Sequence, residues 1–127
     1  VSTAETGRLG ERLAAEFLEA RGYRVLDANY RFQREEVDLV CFQPTPADDG
    51  GDLVFVEVKT RRGAGFGPPE AAVTPAKQAA IKRVAEAWLL ERRMMPSPVR
   101  FDVVAVTLDA RDRATIEHFE NAFGYFV

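Results

Sequence analysis

A chain of 127 residues with 46% hydrophobic and 29% charged side chains fits one compact domain with a single core and needs no second. Charges interrupt every apolar window longer than a strand, and the N-terminus lacks an apolar signal segment; both exclude a membrane span and point to the cytoplasm. The net charge of −3 conceals an asymmetry: residues 1–58 hold 6 Lys/Arg against 12 Asp/Glu, residues 59–100 hold 9 against 3, and residues 101–127 hold 2 against 5. A basic middle between acidic flanks suits a site where phosphate meets a metal held by carboxylates, while most of the individual charges read as solvated helix faces.

Ser2-x-x-Glu5 has the form of a capping box, and Gly10, Leu13, Ala14, Phe17 and Leu18 recur at helical spacing until Gly22 can close the turn. A helix over about residues 4–21 is expected. Tyr23–Leu26 begins a short strand and Val37–Phe42 a second, with residues 29–36 between them. The single cysteine, Cys41, lies in this apolar second strand as core and excludes an internal disulfide or a cysteine-based zinc cluster. Pro, Asp and Gly over residues 43–52 mark a surface loop, with Asp48, Asp49 and Asp52 as turn residues. The loop turns the chain back into the strand Val54–Lys59, so the second and third strands form a hairpin. After a Gly/Pro-rich loop, Thr74 caps a helix that has Pro75 at its first position. Ile81, Val84, Ala85, Trp88 and Leu89 mark its buried stripe, and it runs to about Arg93, before Pro96 and Pro98 forbid continuation. Val99–Leu108 is a strand and residues 114–123 start as another. The order αβββαββ predicts an α/β fold, a mixed sheet with helices packed on it, in one domain over residues 1–127.

The third strand raises a chemical question. Alternation sends Val54, Val56 and Val58 to one face and Leu53, Phe55, Glu57 and Lys59 to the other, so one face is pure core and the other ends in charge. Burying an unpaired charge costs several kcal/mol, so such a strand needs a partner, a metal or a task. Asp38 interrupts the second strand in the same way and shares a face with Glu36. Paired strands lie about 4.8 Å apart, so the carboxylates of Asp38 and Glu57 converge if their faces match. They then repel each other unless a cation sits between them. Mg²⁺, with Mn²⁺ as a substitute, takes one or two carboxylates together with waters and a phosphate oxygen. Lys59 would steady an attacking water or the charge developing on phosphorus.

Glu11 lies at the margin of the first helix's apolar stripe, where Gly7 and Gly10 allow close approach, and can look along the sheet. Lys77, one turn before Ile81, sits near a helix N-terminus and faces phosphate or carboxylate. Arg61 and Arg62 read equally as phosphate contacts and as loop charges. His118 has no second His or Cys to share a metal and reads as a strand residue; Asp102 either pairs with Arg100 or supports the site from the next strand. Trp88, on the apolar stripe, is core.

The segments GRLGERLAAEFLEARGY, NYR, EVDLV, VFVEVKTRR, RFDVV and NAF, with Lys77, resemble the YraN-like family of small bacterial proteins over most of the chain. Asp38 followed by Glu57-x-Lys59, with Glu11 on the preceding helix, resembles the PD-(D/E)xK nuclease superfamily, particularly archaeal Holliday junction resolvases. The resemblance implies a restriction-endonuclease or resolvase-like fold and a Mg-dependent endonuclease acting on DNA, branched or otherwise structured. Glu11, Asp38, Glu57 and Lys59 would carry the activity, with the metal on Asp38 and Glu57. Glu35 stands where the family usually has Gly, and Val37 where the superfamily has its Pro. A non-catalytic nucleic-acid-binding module of the same fold is the main rival, and a protein-interaction domain the third class. The intact Asp, Glu, Lys set favours the enzyme and the basic middle favours nucleic acid. Substrate structure, DNA against RNA, oligomeric state (a homodimer included) and the roles of Glu36, Asp102 and His118 stay open in the sequence.

Overall fold

The computed structural model describes residues 3–46, 50–65, 67–95 and 97–124. Helix α1 spans Thr3–Ala20 and closes where expected: Gly22 adopts φ 90°, its amide donates to Glu19 O at 3.0 Å, and the amide of Tyr23 donates to Leu18 O at 3.1 Å. That pair of bonds satisfies carbonyls the helix leaves open, and glycine is needed because the closing residue is left-handed. The capping box at Ser2 and the turn residues Asp48 and Asp49 lie outside the described residues, while Asp52, expected in the same turn, is already in a strand, opposite Gln43.

The strands are β1 (Arg24–Phe32), β2 (Glu35–Pro44), β3 (Gly51–Arg62), β4 (Val99–Leu108) and β5 (Ala114–Phe119), with a 3-10 turn at Pro69–Ala72 and helix α2 at Pro75–Glu91 between β3 and β4. They form a five-stranded sheet in the order β1-β2-β3-β4-β5. Only β3 and β4 are parallel, as the intervening helix requires; the other neighbours are antiparallel. The α/β architecture with a mixed sheet is therefore the one expected. Ile81, Val84, Trp88 and Leu89 of α2 pack with Leu53, Phe55, Phe101 and Val103 in one core. Ala14 and Leu18 of α1 pack with Cys41, Val54, Val56, Val104 and Val106 in the other. The alternation of β3 and β4 thus feeds two cores, one under each helix. Among the described residues no helix is long and apolar enough to cross a membrane.

One element departs from expectation. β1 does not stop near Leu26 but runs to Phe32, with Tyr30, Arg31 and Phe32 opposite Val37, Glu36 and Glu35, in a tight hairpin that turns at Gln33 and Arg34. As an edge strand with no buried residue it lacks the apolar alternation by which a strand is read, and left-handed Gln33 (φ 57°) turns the chain without a Gly or Pro signal. Helix α2 ends slightly earlier than expected, with Arg92 as its C-cap.

The ladder also sets where a site can form. β3 stays paired with β4 from Leu53 to Arg62, but its pairing with β2 ends at Val56, opposite Leu39. Beyond Val56 the two strands fork. Helix α1 crosses β3 beside this fork so closely that a Cβ added to Gly10 would lie 1.8 Å from Thr60 Oγ1, whereas one added to Gly7 would meet nothing within 4 Å. Gly10→Ala should therefore lower stability by about 1–3 kcal/mol through overpacking, despite the better helix propensity of alanine. Gly7→Ala should be neutral or stabilising by up to about 1 kcal/mol. Thermal melts of the two variants check the contact: equal melting temperatures would mean that α1 does not sit against Thr60.

Candidate active site

At the fork the next step of the β2–β3 register sets Asp38 opposite Glu57. There the backbone pairing is replaced by a side chain: the amide of Val58 donates to Asp38 Oδ2 at 2.7 Å. A backbone donor that has lost its ladder partner must find another, and the carboxylate supplies it. Across β2, the partner position on β1 is Asn29, which has φ 52° in the middle of a strand. The alternation of β2 slips at the same place, since Val37 and Val40 both join the core under α2 while Leu39 and Cys41 join the other. These irregularities gather Asp38, Glu57 and Asn29 at one point.

Burial is the main reason the Asp38 carboxyl is held well above the ordinary aspartate range. The neighbouring Glu57 charge and a hydrogen bond with Glu57 raise it further, the Val58 amide opposes them, and Glu36 adds a smaller repulsion. Glu57 is 13% exposed; its Oε2 lies 3.6 Å from Lys77 Nζ, and its Oε1 is buried with no hydrogen-bond partner among the described residues. The cation that meets the pair is thus Lys77 of α2. Lys59, expected beside the carboxylates, lies two residues further along the Glu57 face of β3 and makes no ion pair among the described residues. The α2 N-terminus is fixed by its cap, Lys77 N to Thr74 Oγ1 at 3.2 Å, and this end of the crossover helix carries Lys77 to Glu57.

Glu11 comes to the same place from α1. Asn29 Nδ2 donates to Glu11 Oε1 at 3.0 Å and to Glu36 Oε1 at 3.3 Å, while Glu36 Oε2 accepts from Arg31 at 3.1 Å. Burial raises the Glu11 pKa, the Asn29 bond partly offsets this, and repulsion from Asp38 and Glu36 adds to the rise. Glu11, Glu36, Asp38 and Glu57 therefore share one electrostatic neighbourhood. Sequence reasoning missed Asn29. Its signal was present: asparagine is the side chain that tolerates a left-handed backbone best after glycine, and it stands in a strand with no buried residue.

Other expected residues lie elsewhere. Arg61 shares the Glu57 face and donates to Gly67 O at 2.5 Å in the loop after β3. Arg62 alternates to the other face, where Asp112 (2.7 Å) and Asp109 O (3.1 Å) hold it. Asp102, 0% exposed, takes Arg100 in a two-pronged pair at 2.9 and 2.9 Å, His118 Nε2 at 2.7 Å and the Asn121 amide at 2.9 Å. Arg100 also donates to Gln43 and, at 2.7 Å, to Tyr23 Oη, and lies 3.7 Å from Asp52. Asp102 and Arg100 are thus an ion pair, with His118 a third member. Trp88 is core, at 1% exposure.

A carboxyl whose folded pKa is raised favours the fold below its unfolded value, near 3.8 for aspartate, and loses that advantage as pH rises through the folded value. In EDTA, Asp38→Asn keeps an acceptor for Val58 and removes the charge. It should therefore exceed wild type in stability by about 1–3 kcal/mol at mildly alkaline pH, and the gap should close toward pH 4. Melts across that range check this; a variant less stable at every pH would show the Asp38 charge to be compensated.

The chain matches the family model described as "Uncharacterised protein family UPF0102" over residues 10–106. It is 50% identical over 117 residues to a UPF0102 protein of Geobacter sulfurreducens, covering 92% of this chain and 87% of the relative. A UPF0102 protein of Symbiobacterium thermophilum is 48% identical over 117 residues (92% and 94% covered), and one of Chlorobium limicola 44% over 122 residues (92% and 90%). Glu11, Asp38, Glu57, Lys59 and Lys77 all fall inside the matched span, and the chain belongs to the UPF0102 family.

Proposed function

We propose that this chain is a divalent-metal-dependent endonuclease of the PD-(D/E)xK type, with a resolvase-like arrangement of its mixed sheet, acting on DNA that is branched or otherwise structured. The observation that carries the reading is Glu57 Oε1, a buried carboxylate oxygen with no partner among the described residues, opposite a carboxyl whose ionised form is penalised by burial and by Glu57. Such a pair is short of positive charge. Among the described residues no three carboxylate, imidazole or thiolate groups converge to hold an ion alone. Two carboxylates are nonetheless what Mg²⁺ takes when waters and a substrate phosphate complete its shell, and hard oxygen donors suit Mg²⁺ or Mn²⁺. Asp38 and Glu57 would hold the ion, which when bound makes water a better nucleophile and draws charge from the phosphodiester.

The chain's own residues supply the rest. Lys59, on the Glu57 face and without an ion pair among the described residues, is free to donate from Nζ to the phosphate oxygen on which charge develops. Glu11, held by Asn29 beside Asp38, orients water at the mouth of the fork. Lys77 holds Oε2 of Glu57 and, with the capped N-terminus of α2, presents positive potential to a phosphate. Arg61 extends this rim along β3, whereas Arg62, on the other face and paired with Asp112, stands outside it.

A cleavage assay on single-stranded, duplex and four-way-junction DNA with Mg²⁺ or Mn²⁺ tests the reading. Glu57→Ala and Lys59→Ala should each cut the rate by about 100-fold or more, while Lys59→Ala leaves DNA affinity within a few-fold and the melting temperature near wild type. Neutralising Arg61 and Lys77 together should flatten the dependence of binding on salt. DNA binding without metal-dependent cleavage would leave a non-catalytic binding module. No binding even at low salt would overturn both.

A further inference from the structure

Asn29 is the one residue at the fork whose conformation has no cause in its own strand. Its neighbours Ala28 and Tyr30 pair regularly with Leu39 and Val37, yet Asn29 between them is left-handed at φ 52°. Such a backbone costs a non-glycine residue free energy, and where it persists the surroundings must repay it. Asparagines in this conformation commonly bond their own backbone in a turn. This one instead spends both amide hydrogens on carboxylates of other elements, Glu11 of α1 at 3.0 Å and Glu36 of β2 at 3.3 Å. Its place in the register is opposite Asp38, and Glu11 and Glu36 are both close enough to Asp38 to repel its charge. Without the amide, that repulsion and the pull of water would send the exposed arm of Glu11 outward.

We propose that Asn29 is the positioning residue of the site, a neutral two-donor clamp whose left-handed backbone aims its amide so that Glu11 and Glu36 stay beside Asp38. The assignment rests on the nuclease reading. The clamp adds no charge, so it gathers negative potential at the fork for a divalent cation while neutralising none of it. A lysine in its place would hold the same carboxylates but lower the attraction for the ion. The left-handed backbone also explains the residue type, since asparagine alone combines tolerance of that conformation with two hydrogens on a short side chain.

Asn29→Gly separates the clamp from the left-handed backbone, because glycine adopts φ 52° freely and lacks the amide. Its melting temperature should stay within a few degrees of wild type. Mn²⁺ affinity, measured by calorimetry on the full chain without DNA, should fall about 10-fold, and kcat for DNA cleavage by about 10- to 100-fold with KM within about two-fold. Asn29→Asp keeps the shape and removes the donors, so its cleavage should be no better than that of Asn29→Gly. On a Glu11→Ala background, Asn29→Gly should cost cleavage no more than about two-fold, since of the two carboxylates it holds the one with a role in catalysis is gone. Unchanged Mn²⁺ affinity with a lowered melting temperature, or losses that multiply with those of Glu11→Ala, would reduce Asn29 to a structural residue of β1 and leave the nuclease reading standing. A wild type that neither binds Mn²⁺ nor cleaves DNA would overturn that reading, and this assignment with it.

Discussion

The hydrogen bond from the Val58 amide to the Asp38 carboxylate sits where β2 parts from β3, and the geometry of the fork depends on it. Two strands that diverge leave backbone groups without partners, and a buried orphan amide costs about 1–3 kcal/mol. Asp38 meets that need and is thereby pinned opposite Glu57. One charge-assisted bond does not offset what the pairing demands, because two carboxylates are being taken from water and set against each other. The Lys77 ammonium at 3.6 Å from Glu57 relieves part of the strain, but it reaches only one of the four oxygens. The fork is therefore built in deficit, with the Val58 amide satisfied and the charge of the pair not.

The second ionic cluster shows what a balanced arrangement in the same sheet looks like. Asp102 is likewise buried, and burial raises its pKa, yet bonds from His118, Arg100 and the Asn121 amide bring it below the ordinary value. Every bond there closes on a donor, and Arg100 in turn reaches Tyr23, Gln43 and Asp52. The cluster ties the start of β1 to β2, β3, β4 and the end of β5, which is the work of a structural network. The pKa shifts of the two aspartates have opposite signs, and that contrast, not the count of charges, separates a candidate site from a tether.

Sequence reading succeeded where burial is two-sided and failed where it is absent. β3 and β4, with a core on each face, announce themselves as apolar runs, and Glu57 and Asp38 are conspicuous because they break such runs. The far half of β1 carries no buried residue, so no period survives in Asn29–Phe32 to mark it as strand. The same blindness hid Asn29. Lys59 and Lys77 illustrate a different limit: alternation shows which face Lys59 takes, but which lysine reaches Glu57 depends on how the crossover helix lies over β3, and no local pattern encodes that. Asp102 and His118 are 16 residues apart and meet only through the β4–β5 pairing, so their bond is a fact of register.

The crossover also converts a linear charge pattern into a spatial one. Along the chain the basic middle lies between acidic flanks, an order that by itself attracts nothing in particular. Folding brings the first turn of α2 to Glu57, so that Lys77 meets the carboxylates gathered from α1, β2 and β3, while Lys59 and Arg61 follow Glu57 along the same face of β3. An acidic centre inside a basic rim repels a polyanion at short range while drawing it at long range. On the proposed reading a divalent ion cancels the charge of its two ligands, Asp38 and Glu57, and leaves the rim unchanged, so the phosphate that the rim attracts is repelled less at short range when the ion is present. On that reading, charge favours the cation arriving before the nucleic acid.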